Sequence, residues 1–240
     1  ESFAKNIGDG HRIFFGVSGS GKTLLLISRA KYLINKNPQL KILILCFNVC
    51  LASHLRSLLY SDSQNPQYQK INVMHFHDWA KLVLNGWPSQ SSGNLDEYLG
   101  KAILEKLLTY TEEQKWDVIL IDEAHTFVSI WFKCCVHALK DSQNGNLMIV
   151  ADGNQKLYKH PDFKWKDVGI KAQGRTISKR FHLEQNYRNT REILSSALNV
   201  LTRITHLLSL LEDEDITFPI IQPSQALRQG EKTSLYIAKD

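Results

Sequence analysis

Gly16-Val17-Ser18-Gly19-Ser20-Gly21-Lys22-Thr23 follows a short apolar run, Arg12–Phe15, and leads into a helical one, Leu24–Tyr32. The stretch fits G-x-x-x-x-G-K-[ST] in full, and its place between a strand and a helix separates a phosphate-binding loop from a chance match. Glycines let the backbone curl so that successive N–H groups point inward at phosphate oxygens, and the helix N-terminus adds a partial positive charge. Gly16, Ser18, Gly19, Ser20 and Gly21 are therefore expected to form the cradle. Lys22 is expected to reach the β- and γ-phosphates, and Thr23 to hold Mg²⁺ through its hydroxyl. The plainer alternative is a Gly/Ser-rich turn capping a helix, which the order of strand, loop and helix disfavours.

A second half of a phosphate site stands about a hundred residues on. Trp116-Asp117-Val118-Ile119-Leu120-Ile121-Asp122-Glu123-Ala124-His125 is an apolar strand ending in adjacent carboxylates. That arrangement places Asp122 near the metal and Glu123 beside an attacking water. Acidic residues also favour the start of a helix, so capping is the alternative. His125 reads equally as a sensor contact or as a helix-start residue.

Outward from these motifs, short Ile/Leu/Val-rich runs alternate with helix-length amphipathic segments, the pattern of a parallel sheet covered by helices on both faces. The expected strands are Arg12–Phe15, Lys41–Cys46, Ile71–Met74, Asp117–Asp122, Asn146–Ala151 and Thr176–Leu183. The expected helices are Lys22–Asn35, Asn48–Leu59, His77–Leu84, Leu95–Leu108, Ser129–Leu139 and Thr190–Leu211. Polar stretches at Tyr60–Lys70 and Trp87–Asn94 read as loops. Residues 76–116 are expected to form a small helical insertion.

Composition narrows the class. The chain has 240 residues, 43% of them hydrophobic and 22% charged, which describes a globular protein. No apolar run approaches the roughly 20 residues of a membrane span, and the N-terminus lacks a secretory pattern. We therefore expect a cytoplasmic protein without a membrane partner. The four cysteines, Cys46, Cys50, Cys134 and Cys135, match neither a zinc site nor a disulfide framework and read as buried or incidental thiols. A net charge of +5 suits a polyanionic partner without specifying one.

Four further stretches resemble the superfamily 1 helicases of the UvrD/Rep type, in the order those proteins carry them. Ile42-Leu43-Ile44-Leu45-Cys46-Phe47-Asn48 looks like their motif Ia, and Val73-Met74-His75-Phe76 like motif Ib. Asp152-Gly153-Asn154-Gln155, after the run Leu147–Ala151, resembles motif III, with Ala151 where the family has Gly. Leu183-Glu184-Gln185-Asn186-Tyr187-Arg188-Asn189-Thr190 resembles motif IV. The resemblance spans about residues 8–200 and implies a RecA-like P-loop NTPase fold, with ATP and Mg²⁺ as ligands.

It further implies that Gln155 contacts the γ-phosphate and attacking water, that Arg188 stabilises the developing phosphate charge, and that Tyr187 stacks on adenine. A neutral amide can bond water and phosphate together, and a guanidinium makes charge-assisted bonds to phosphate. The alternative for Asn186-Tyr187-Arg188 is a cap on the helix beginning near Thr190. For the nucleic-acid track the candidates are Phe47, Asn48, His75, Phe76 and Tyr158, with Trp165 as a further one, because aromatic faces stack on bases of any sequence. Phe47 and Phe76 also suit a core at strand ends. Arg175, Lys179 and Arg180 read as a solvated basic face or as phosphate contacts.

The implied activity is ATP-driven translocation on single-stranded nucleic acid, with DNA the expected track. The alternative is a nucleotide-binding switch that regulates a fused nuclease without processive unwinding. Ile7-Gly8-Asp9-Gly10-His11-Arg12 and Leu45–Val49 resemble helicases that carry an upstream nuclease-related domain. The chain begins at Glu1 without Met and stops at Asp240 after the strand-like Ser234–Ala238. We therefore expect residues 1–205 to be the first motor domain and 206–240 the start of a truncated second one. The remainder of that second motor domain, in the same chain, is the expected partner for full activity, so the present chain is expected to hydrolyse ATP weakly by itself.

Overall fold

A computed structural model describes residues 2–61, 65–87, 94–152, 163–171, 183, 185–209 and 222–234. Five strands form one parallel sheet in the order β1-β5-β4-β2-β3: β1 His11–Gly16, β2 Ile42–Cys46, β3 Asn72–His75, β4 Val118–Ile121 and β5 Asn146–Asp152. Helices α2 (Lys22–Lys36), α3 (Val49–Tyr60), α4 (Phe76–Leu84), α5 (Leu95–Leu107) and α6 (Ser129–His137) connect them, and α1 (Ser2–Lys5) precedes β1. This is the α/β architecture expected of a RecA-like P-loop domain.

The absence of hydrophobic alternation in the strands has a direct cause. Ile42, Ile44 and Cys46 enter one core, with Val118, Leu120, Met148 and Val150, and pack against α2 and α3. Leu43 and Leu45 enter the other, with Ile119, Ile121, Leu147 and Ile149, beneath α4, α5 and α6. Each strand thus alternates between two apolar faces, and every residue of β2 and β4 is buried.

The segment expected as a helical insertion contains α4 and α5, followed by a 3₁₀ turn at Glu112–Gln114. It packs closely on α6. A Cβ at Gly100 would come within 2.4 Å of Ile130 Cγ2, so the helices touch where a side chain would not fit. Trp131 donates from Nε1 to the Asp96 carbonyl at 3.0 Å.

The run Asn186–Thr190 departs from expectation. It forms a strand where none was expected, β6, paired in parallel with β7 (Ala226–Arg228) in a separate two-stranded sheet. The helix α7 (Arg191–Ser209) begins directly after it. The polar sequence of β6 carries no strand signal, because its pairing partner lies far along the chain. The expected strand Thr176–Leu183 falls outside the described residues except for Leu183. So do Arg175, Lys179, Arg180 and Leu235–Ala238.

Cys46, Cys134 and Cys135 are buried, Cys50 is exposed, and all four are free thiols. Among the described residues no helix is long and apolar enough to cross a membrane.

Candidate nucleotide site

The loop between β1 and α2 lies at the C-terminal end of the sheet, where a parallel sheet directs its open crevice. Lys22, the first residue of α2, is buried and donates from Nζ to the carbonyls of Gly16 at 3.0 Å and Val17 at 2.9 Å. Its ammonium is 3.8 Å from Asp152 Oδ2 at the end of β5. Burial lowers the Lys22 pKa, against the opposing pull of Asp152, Glu123 and Asp122.

Thr23 Oγ1 donates to Asp122 Oδ2 at 2.9 Å, bringing together the two residues expected at the metal. Asp122 is wholly buried immediately after β4. Burial raises its carboxyl pKa to about 6, with the Thr23 hydrogen bond pulling the other way. Its second oxygen accepts from the Glu123 N–H at 2.9 Å.

Glu123 is one of two non-glycine residues among those described with positive φ, at 50°. This left-handed backbone is costly for a residue with a Cβ and persists only when its surroundings fix it. Here Thr126 donates to the Glu123 carbonyl from both N and Oγ1, at 3.1 and 2.8 Å. The result turns the Glu123 side chain toward the cleft that contains the loop. His125 Nδ1 is 3.3 Å from Glu123 Oε2, so His125 bears on the carboxylate from the middle of the 3₁₀ turn Ala124–Thr126.

β6 closes the other side. Asn186, wholly buried, donates from Nδ2 to the Ser18 carbonyl at 2.9 Å. Its Oδ1 accepts from Arg188 N at 2.9 Å and Asn189 N at 2.8 Å. Tyr187 N donates to the Gly19 carbonyl at 3.0 Å, and Val17 N to the Leu183 carbonyl at 2.9 Å. The approach is so close that a Cβ on Gly19, whose φ is +74°, would meet Arg188 Cβ at 2.8 Å and Asn186 Oδ1 at 3.0 Å. Asn186 does perform the capping-type turn that was the alternative reading, and it also fastens β6 to the phosphate loop. Sequence reasoning missed that second role.

Tyr187 and Arg188 are exposed into a cleft of about 800 Å³ that they share with residues 18–23 and Glu123. The residues fit a magnesium nucleotide. Ser20 Oγ is buried in the cradle without a hydrogen-bond partner among the described residues, and the Thr23–Asp122 pair offers hard oxygen donors beside the loop. Gln155 lies outside the described residues.

The nucleic-acid candidates divide. Phe47, at the end of β2, is 42% exposed and stands 5.9 Å from the His77 ring. His75 ends β3 and holds Asp78 with Nε2 3.0 Å from Oδ2. Asn48 is exposed, but its Oδ1 accepts from Cys50 N and Leu51 N as the N-cap of α3. Phe76 requires correction: it is 0% exposed and stacks on Trp131 with ring centroids 3.9 Å apart, so its face serves the core. Trp165 is half-buried, with the rings of Phe132 and Phe163 each 5.2 Å away. Tyr158 lies outside the described residues.

A comparison with curated proteins finds no match. Residues 4–97 match the family model of the UvrD/REP helicase N-terminal domain, a span that takes in the phosphate loop, β2, α3, β3 and α4. By this match the chain resembles the UvrD-like superfamily 1 helicases, the family to which its motifs point.

Proposed function

We propose that the protein is the motor core of an ATP-dependent helicase that couples hydrolysis of Mg·ATP to movement along single-stranded DNA. The family match supports a helicase function in general. The observation that carries the finer reading is the convergence of distant segments on one loop: Asp122 on Thr23, Asp152 beside Lys22, and Asn186 on Ser18.

In this reading the loop N–H groups and Lys22 bind the phosphates. Thr23 and Asp122 would hold Mg²⁺, which when bound neutralises charge across the β- and γ-phosphates. Glu123 orients the attacking water and accepts its proton, and Arg188 stabilises charge on the transferring phosphoryl group. Tyr187 stacks on the base, and Gln155 links water and phosphate. Phe47 and His75, at the ends of two neighbouring strands, touch the nucleic acid. Those strands belong to the same sheet as the phosphate loop, giving the two ligands a common rigid support.

The test is Lys22→Ala, with Mg·ATP binding and ATPase rate measured with and without single-stranded DNA. The expected result is loss of binding or turnover. Full ATPase activity in that variant would remove the phosphate-site reading. Tight ATP binding by a wild-type protein that shows no affinity for single strands would remove the translocase reading and leave a nucleotide switch.

A further inference from the structure

The cleft beside the phosphate loop continues along an apolar wall. Leu24 and Leu25 on α2 and Leu51 and Leu58 on α3 line it, and Phe3 on α1 stands in the same cleft. Phe3 and Tyr187 are each 49% exposed, so both present ring surface to that space. Apolar walls with exposed aromatic faces suit a nucleobase, whose stacking is worth the same order of energy whichever base is present.

A four-residue helix has no stability of its own, because helix nucleation is unfavourable. The position of α1 is instead set by Arg29 of α2, which is only 3% exposed. Its Nη1 donates to the Ala4 carbonyl at 2.9 Å, and its Nη2 donates to the Gly8 carbonyl at 2.7 Å and reaches Asp9 Oδ1 at 3.2 Å. Ala4 and Ile7 are buried beside it, and Arg12 Nε donates to the Ile7 carbonyl at 2.8 Å. Burying a guanidinium is costly, and here its bonds are spent on the backbone around Phe3. Arg29 lies on the same helix as Lys22 and Thr23, so one rigid element fixes both the phosphate cradle and α1.

We propose that Phe3 is a second aromatic contact for the nucleobase of a bound nucleoside triphosphate, and that Arg29 is the positioning residue that holds it at a set distance from the phosphate loop. This rests on the nucleotide-site reading above. Phe3 contributes affinity for the base without choosing between purines, since a phenyl ring has no group to read a base edge.

Isothermal titration with Mg·ATP, Mg·GTP and magnesium tripolyphosphate, the last lacking a base, tests it on wild type, Phe3→Ala, Phe3→Tyr and Arg29→Lys. Phe3→Ala is expected to weaken both nucleotides by roughly five- to tenfold. Tripolyphosphate binding should stay unchanged, and Phe3→Tyr should bind as wild type does. Arg29→Lys keeps the charge but loses the fork, and should weaken nucleotides without affecting tripolyphosphate. Combined with Phe3→Ala, it should add no further loss.

Unchanged ATP affinity in Phe3→Ala, beside a wild type that binds, overturns this proposal alone. Equal losses for ATP and tripolyphosphate overturn it too, by making Phe3 a structural residue. Failure of the wild type to bind any of the three would instead sink the phosphate-loop reading, and this proposal with it.

Discussion

Thr23, in the first turn of α2, and Asp122, at the end of β4, are 99 residues apart in sequence and 2.9 Å apart in space. The hydroxyl offsets part of the burial that raises the Asp122 carboxyl pKa to about 6, so it keeps a hard anion available where a divalent cation would bind. Thr23→Val preserves shape and removes the hydroxyl. Expected is a roughly ten- to hundredfold rise in the Mg²⁺ concentration that half-saturates nucleotide binding. A Mg²⁺ titration followed by nucleotide fluorescence checks this, and an unchanged midpoint would reject the metal assignment.

Glu123→Gln keeps the side-chain shape and the left-handed backbone while removing the base. Nucleotide affinity should hold and hydrolysis should fall by about 10²–10⁴. Single-turnover kinetics beside equilibrium binding separate the two. Lost affinity with intact turnover would mean that the two neighbouring carboxylates have been assigned the wrong way round.

Asn186→Ala removes three hydrogen bonds from a wholly buried amide. A loss of about 2–3 kcal/mol in stability is expected, because the Ser18 carbonyl and two N–H groups lose their partner. Nucleotide affinity should fall as well, since β6 no longer pins the loop. Chemical denaturation and titration on the same sample test both, and wild-type values in each would show that the loop holds its shape unaided.

Thiol labelling should be selective. Burial pushes Cys46 and Cys134 up to about 12 and Cys135 well above its ordinary value, whereas Cys50 is exposed in the first turn of α3. Iodoacetamide on the native protein should modify Cys50 first, with the other three reacting only after unfolding. Mass spectrometry of a short time course reads this directly, and early labelling of Cys134 would contradict the packing of α5 on α6.

The main sheet was legible because its strands are buried on both faces, and such strands leave dense aliphatic runs that local reading finds. The places of residues 16–23, between β1 and α2, and of Asp122-Glu123, at the end of β4, were legible for a related reason: each is written in contiguous residues. Phe76 was not, because an aromatic at a strand end looks the same whether it meets solvent or a neighbouring ring. Here Trp131, more than fifty residues later, covers it. Asn186 escaped notice as a clamp because its polar run resembles a cap, and its second partner, Ser18, is 168 residues away. The Arg29 contacts to the chain before β1 were equally hidden, since a side chain's backbone partners have no sequence signature.

The close approach of Asn186 and Arg188 to Gly19 bears on how freely the loop can vary. In G-x-x-x-x-G-K-[ST] the third intervening position counts as open, yet in this protein any Cβ there meets atoms at about 3 Å or less, on a backbone with positive φ. A library randomised over positions 17–20 and sorted only for well-folded protein, with no nucleotide present, should therefore return glycine at position 19. That constraint belongs to the neighbouring strand, and a selection for catalysis would find it already in force.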